Sequence, residues 1–256
     1  MNVHPGDKSL ESLAMTMIKM LGLNSEPVAV FLIGPNGVSN LDLSLFSSLK
    51  SQRYCQMIMH ARRGEAVSID AANLSCPAAA RAFGFRELPD KLAGGDGLVG
   101  FGIVQDPLVG KAMFKGMPRI QSGELSLIAA CPLSKSQWQP DVVVVEGLAE
   151  QLMWIALADL NSDAGARRQS STAVLQATCV DSTIIPYIEQ RLNFSLGCYG
   201  CREATDMEPS ETIIGFPGAR LHAIVDSIRY LNIKAITNSR SKRVYEALRR
   251  KEKDNV

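Results

Sequence analysis

The chain has no long hydrophobic run, no excess of charge of either sign and only three histidines in 256 residues. Without about 18 consecutive apolar residues there is no candidate membrane span. A net charge of +1 sets up no field that would gather nucleic acid or an anionic membrane, so neither is expected as a partner. Residues 1–9 lack the apolar segment of a secretory signal, which makes a cytoplasmic location the expectation. His4, His60 and His222 are too scattered for a catalytic triad; only His60, five residues after Cys55, is near a thiol in sequence. With 46% hydrophobic and 21% charged residues, the composition is that of a globular protein able to bury a sizeable core.

What the chain does have is six cysteines: Cys55, Cys76, Cys131, Cys179, Cys198 and Cys201. In a reducing compartment they stay free, and a chain of this length does not need disulfides. Cys179 reads as a small core hydrophobe. Cys131, before Pro132 at the end of an apolar run, is balanced between core and site.

Helical spacing of Leu10, Leu13, Met17, Met20 and Leu21 predicts a first helix ending at Gly22. Pro27 to Ile33 reads as a strand buried on both faces, followed by a turn at 34–37. Residues 38–50 are ambiguous, 51–63 read as a helix and Val67 to Asp70 as a short strand. Pro77 at a first helical position puts Cys76 at the N-cap, where free N–H groups favour a thiolate. Gly95, Gly97 and Gly100 match the dinucleotide pattern G-x-G-x-x-G. However, the segment before them is polar and Leu98 to Val104 reads as the strand itself, so no nucleotide site is expected. Helices are expected over 107–117 and 181–192.

From residue 125 the sequence reads as a strand–loop–strand–helix unit recurring at an offset of 69: Pro140 with Pro209, Val145 with Ile214, Leu152 with Leu221, Ile155 with Ile224. Each loop begins with a thiol. Interleaved strands and helices argue an α/β fold, a mixed sheet covered by helices, in one domain over 1–256 with its core in 10–235. A basic helix is expected over 239–253 as a solvated face.

Cys198-Tyr-Gly-Cys201 carries the chemistry. Two thiols spaced by two residues can face one centre, and Gly197 and Gly200 let the backbone come close. Three readings stand: metal or iron–sulfur ligation, dithiol redox chemistry, or a tight turn of small residues. A [4Fe–4S] cluster or a tetrahedral zinc takes four thiolates. Cys55 and Cys76 are the best remaining pair, with Cys131 in reserve. Arg202 beside the pair is placed to steady an anionic cluster or ligand, or to pair with Glu203. The carboxylates Glu203, Asp206, Glu208 and Glu211 read as a solvated loop.

The segments Pro27-Val-Ala-Val30, Tyr54-Cys-Gln56, Ser75-Cys-Pro-Ala-Ala79, Pro140-Asp-Val-Val143 and Gly197-Cys-Tyr-Gly-Cys-Arg202 together resemble the domain-of-unknown-function family numbered one hundred and sixty-nine. The resemblance spans about residues 10–235. It implies one α/β unit and brings no established activity. The family's occurrence in archaea and anaerobic bacteria raises oxygen-sensitive iron–sulfur chemistry above zinc. The expectation is a [4Fe–4S] cluster on Cys55, Cys76, Cys198 and Cys201, in electron transfer or cofactor handling, with a redox partner protein and compatible with a homodimer. The competing expectations are a module binding a small metabolite or tetrapyrrole, and a Cys198–Cys201 dithiol oxidoreductase.

Overall fold

The protein is described here from a computed structural model covering residues 9–37 and 41–254. Helix α1 (Leu10–Leu21) starts where the Ser9 side chain accepts the Ser12 N–H and stops at Gly22, in the left-handed conformation that glycine adopts freely. It feeds β1 (Val28–Ile33), all six residues of which are buried. Next come β2 (Ser47–Ser48), α2 (Tyr54–Arg62), β3 (Val67–Asp70) and α3 (Pro77–Ala82). Three short helices follow, α4 (Asp90–Ala93), α5 (Asp96–Gly100) and α6 (Pro107–Lys115), then β4 (Leu127–Pro132), β5 (Val142–Leu148) and α7 (Ala149–Asn161). A π-helix, Ala177–Ile184, runs into α8 (Ile185–Glu189). Strand β6 (Asn193–Ser195), α9 (Tyr199–Ala204), β7 (Glu211–Pro217), α10 (Leu221–Arg240) and α11 (Arg243–Asp254) complete the chain.

The strands form one mixed sheet in the order β2-β3-β4-β1-β5-β7-β6, parallel only between β2 and β3. Alternation of side chains makes two separate apolar layers. Ala29, Phe31, Val143, Val145, Ile214 and Phe216 face α1, α7 and α10. Val28, Val30, Leu32, Val142, Val144 and Ile213 face α2, α3, the π-helix and α9. This is an α/β fold with helices on both faces of its sheet.

Four expectations need correction. Leu98 to Val104 is not a strand: Asp96–Gly100 is helical, starting from Gly95 at φ +93°, and a Cβ on Gly95 would overlap the Pro107 carbonyl. The glycines let α4, α5 and α6 pack on one another as a small cap. The helix expected from Asp181 begins four residues earlier, at Ala177. The basic helix expected over 239–253 straddles a break at Ser241 and Lys242 between α10 and α11. The repeat survives only in part. Strands β5 and β7 lie antiparallel with Val145 opposite Ile214, and their helices α7 and α10 pack on the same face. However, β6 pairs directly with β7, whereas β1 separates β4 from β5. His4 lies outside the described residues.

Candidate functional site

On the α2/α3 face a cavity of about 460 Å³ opens between α2, α3, the cap, the π-helix and α9. Cys55, Cys76, Cys198 and Cys201 all line it, and so does Cys179. All six cysteines of the chain are free thiols. Cys76 is the N-cap of α3, as the Pro77 signal predicts. Cys179 is the one the sequence missed. The turn that aims it depends on Gln176 adopting φ +56°, for which no glycine marks the sequence. Cys131 is excluded from the site: it points from β4 into the opposite apolar layer with Ala29 and Leu133, and burial pushes its thiol up to about 11. His60 is turned away, bonded to Glu65 at 3.1 Å.

Cys198 and Cys201 cap α9 reciprocally. The Cys201 N–H donates to Cys198 Sγ at 3.4 Å, the Cys198 N–H to Cys201 Sγ at 3.0 Å, and the two sulfurs are 3.3 Å apart. The Cys201 thiol, donating to Cys198, lowers the Cys198 pKa to about 6, below that of an ordinary thiol. The N–H groups of Cys201, Ala177 and Gly200 also stabilise its anion against the cost of burial. Cys201 shifts the opposite way, raised first by its bond to Cys198 and then by burial. Burial pushes Cys55 up to about 12, with Cys198 and Cys76 adding to it. Cys179 is also raised, by burial and then by Cys76, Cys198 and Cys55. Within the cavity Cys198 is thus shifted toward its thiolate, while Cys55, Cys179 and Cys201 are shifted away from theirs. No three His, Cys, Asp or Glu side chains among the described residues gather closely enough to hold a single metal ion.

Side chains that sequence reasoning passed over hold these sulfurs in register. Arg53 bonds the Gly200 carbonyl at 3.3 Å and Glu203 at 2.7 Å, and Gln56 bonds the Ala204 carbonyl at 3.2 Å. Cys55 stands between them, so α2 and α9 are clamped on either side of it. Tyr54, fully buried, meets Thr183 at 2.9 Å and ties α2 to the π-helix that carries Cys179. Glu203 thus belongs to Arg53 and not to Arg202. Arg202 does not line the cavity: it donates to the carbonyls of Leu196, Glu208 and Glu211 and braces the loop from β6 to β7. Gly197, at φ +90° against that guanidinium, also serves the loop, while Gly200 does line the cavity.

A family model for DUF169, described as uncharacterised ArCR, matches residues 16–227. The chain belongs to DUF169. An uncharacterised protein of Methanocaldococcus jannaschii is 29% identical over 199 residues, which is 77% of this chain and 81% of that protein. No solved structure matches the chain. The DUF169 match covers all five cysteines of the cavity. No described helix of this DUF169 chain is long and apolar enough to cross a membrane.

Behind α9 the expected solvated loop of carboxylates turns out to be partly buried. Arg62 is faced by Asp206 at 2.7 Å, Glu146 at 3.1 Å and Glu211 at 3.3 Å. Asp206 is shared with the exposed Arg63 at 2.7 Å, which leaves the buried Arg62 guanidinium against two enclosed carboxylates, and Glu146, whose Oε1 has no hydrogen-bond partner, is the more enclosed of them. Burial pushes Glu146 up to about 7 despite Arg62. A carboxyl whose folded value exceeds its unfolded value stabilises the fold at low pH, and that contribution is lost as pH rises through about 7. Asp181, raised by burial to about 7, acts in the same direction. Stability should therefore fall from pH 5 to pH 8, Glu146 contributing on the order of 2–3 kcal/mol. Urea midpoints for Glu146→Gln should show a clearly shallower fall than the unsubstituted protein; equal slopes would refute this assignment.

Proposed function

We propose that this DUF169 protein binds an iron–sulfur cluster, [4Fe–4S] in the simplest case, through Cys55, Cys76, Cys198 and Cys201. Its role would be electron transfer or cofactor handling. One observation carries the reading: thiols more than 140 residues apart in sequence line a single largely apolar cavity. The donor set is soft and all-sulfur, which suits iron–sulfur clusters. A tetrahedral zinc would need its sulfurs within about 4 Å of one another. Among the described residues no three ligating groups meet single-ion spacing, whereas a cuboidal cluster takes each thiolate on a different iron. When bound, the cluster would supply one-electron chemistry. The backbone N–H groups at Cys198 and the apolar wall would then tune its potential through hydrogen bonds to sulfur and exclusion of water.

Anaerobic reconstitution with ferrous iron and sulfide tests the proposal. The expected product is brown and carries about four irons and four sulfides per chain. A colourless protein without iron after reconstitution overturns it.

A second reading has its own support in the 3.3 Å approach of the Cys198 and Cys201 sulfurs and their opposed acidities. That is the arrangement of an exchanging dithiol, a nucleophilic thiolate beside a protonated resolving thiol. Oxidised glutathione would then convert the pair to a disulfide: two electrons and two protons pass to glutathione, releasing two molecules of its thiol form. With limiting iodoacetamide at pH 7, peptide mapping of the metal-free protein should find Cys198 alkylated well ahead of Cys55, Cys179 and Cys201. Alkylation spread evenly over the cavity thiols would count against this reading.

A further inference from the structure

The cavity is larger than its sulfurs require. At about 460 Å³ it falls in the range of pockets that hold small organic ligands, roughly 300–1,000 Å³, whereas a cluster of four irons and four sulfides is compact. The wall opposite the cysteines is supplied by the cap: Leu92, Leu98, Phe101, Ile103 and Phe114 all line the space. Phe101 from this cap and Tyr199 from α9 are both largely exposed where they border the cavity.

Two polar features narrow what would fit. Thr178, on the π-helix beside Cys179, lines the cavity and is only 2% exposed, yet its hydroxyl oxygen has no hydrogen-bond partner. A buried hydroxyl left without a partner is costly, and a ligand group is one way to satisfy it. Arg53, the one cationic side chain on the wall among the described residues, is already held by Glu203 and the Gly200 carbonyl, so the wall offers nothing to pair with an anion.

We infer that the space between the cap and the cysteines is a binding site for a small, neutral, mainly apolar organic molecule, ring-sized, with one hydroxyl or carbonyl group hydrogen-bonded to Thr178. The inference deepens the reading of this cavity as the functional site. It places a substrate or effector directly against the thiols, and so against any cluster that they hold.

The test uses 1-naphthol and naphthalene as probes, titrated by fluorescence into the full-length metal-free protein. The expected result is that 1-naphthol binds about fivefold or more tightly than naphthalene, one hydrogen bond's worth. Thr178→Val should abolish that preference while naphthalene binding stays within about twofold, and Thr178→Ser, which keeps the hydroxyl, should restore it. Leu98→Trp, filling the space from the cap side, should weaken both probes tenfold or more. If that variant fails to fold, Phe101→Ala at the exposed lip should weaken both about threefold. Failure of either probe to bind, a preference that survives Thr178→Val, or binding indifferent to the cap substitutions would each overturn the inference. Because the titration needs no metal, its failure is distinct from a failed reconstitution: the protein can take iron and reject the probes, or the reverse.

Discussion

Serine at any one of Cys55, Cys76, Cys198 or Cys201 should strip the reconstituted protein of most of its iron and visible colour, while alanine at Cys131 should leave both intact. The contrast follows from where the sulfurs sit. The first four line one cavity, whereas Cys131 lies across the sheet among Ala29, Phe31 and Leu133. A [4Fe–4S] cluster takes four thiolates, and a serine hydroxyl neither ionises near neutral pH nor matches iron in softness. Cys131→Ala should cost stability only, about 1 kcal/mol for the small space it opens. Cys179→Ala is the informative sixth variant. It lines the same cavity, where burial raises its thiol well above the ordinary range. Four thiolates complete the proposed cluster without it, so this variant should keep its cluster. Iron per chain and the visible spectrum decide the matter. Loss of iron with Cys179→Ala, together with retention in one of the four serine variants, would redraw the ligand set. Retention in all four would remove the cluster altogether.

Gly215→Ala should destabilise the protein by about 1–3 kcal/mol or more. Gly215 lies in β7, paired with Val144 on one side and Asn193 on the other, and the π-helix crosses directly over it. A Cβ there would overlap the backbone carbonyl of Ser182, which cannot swing aside as a side-chain tip can. Either the π-helix lifts or the strand shifts; overpacking of this kind costs about 1–3 kcal/mol and occasionally more. Lifting the π-helix would also move Cys179 and the Ala177 N–H that supports the Cys198 anion. Gly200→Ala is the control inside the same site: its Cβ would stand 4.0 Å from Cys198 Sγ, an ordinary contact, and its φ is not left-handed. That variant should stay within about 1 kcal/mol of the parent. Urea midpoints at one pH measure both; a Gly215→Ala protein as stable as Gly200→Ala would show that the strand and π-helix do not meet as described.

The helix of α1, the buried strand β1 and the Pro77 signal that caps α3 with Cys76 were all legible locally, because caps and hydrophobic spacing act over a few residues. The segment 98–104 misled for a related reason. Its Val, Phe and Ile content favours a strand, but the contact that matters is Gly95 against Pro107, a backbone approach that propensity does not register. Cys131 shows a different limit. Residues 127–132 are apolar almost throughout and β4 is buried on both faces, so no polar position marks which parity faces which layer.

The spacing of Cys198 and Cys201 already contained their mutual capping, because residues three apart at a helix start meet without help from the rest of the chain. The partition of the sulfurs among sites is another matter. That Cys55, Cys76 and Cys179 join that pair, and that Cys131 does not, depends on strand order, on the clamp of Arg53 and Gln56 onto α9, and on a π-helix seated over Gly215. Those are contacts between residues up to about 150 positions apart, and only the folded sheet brings them within reach of one another.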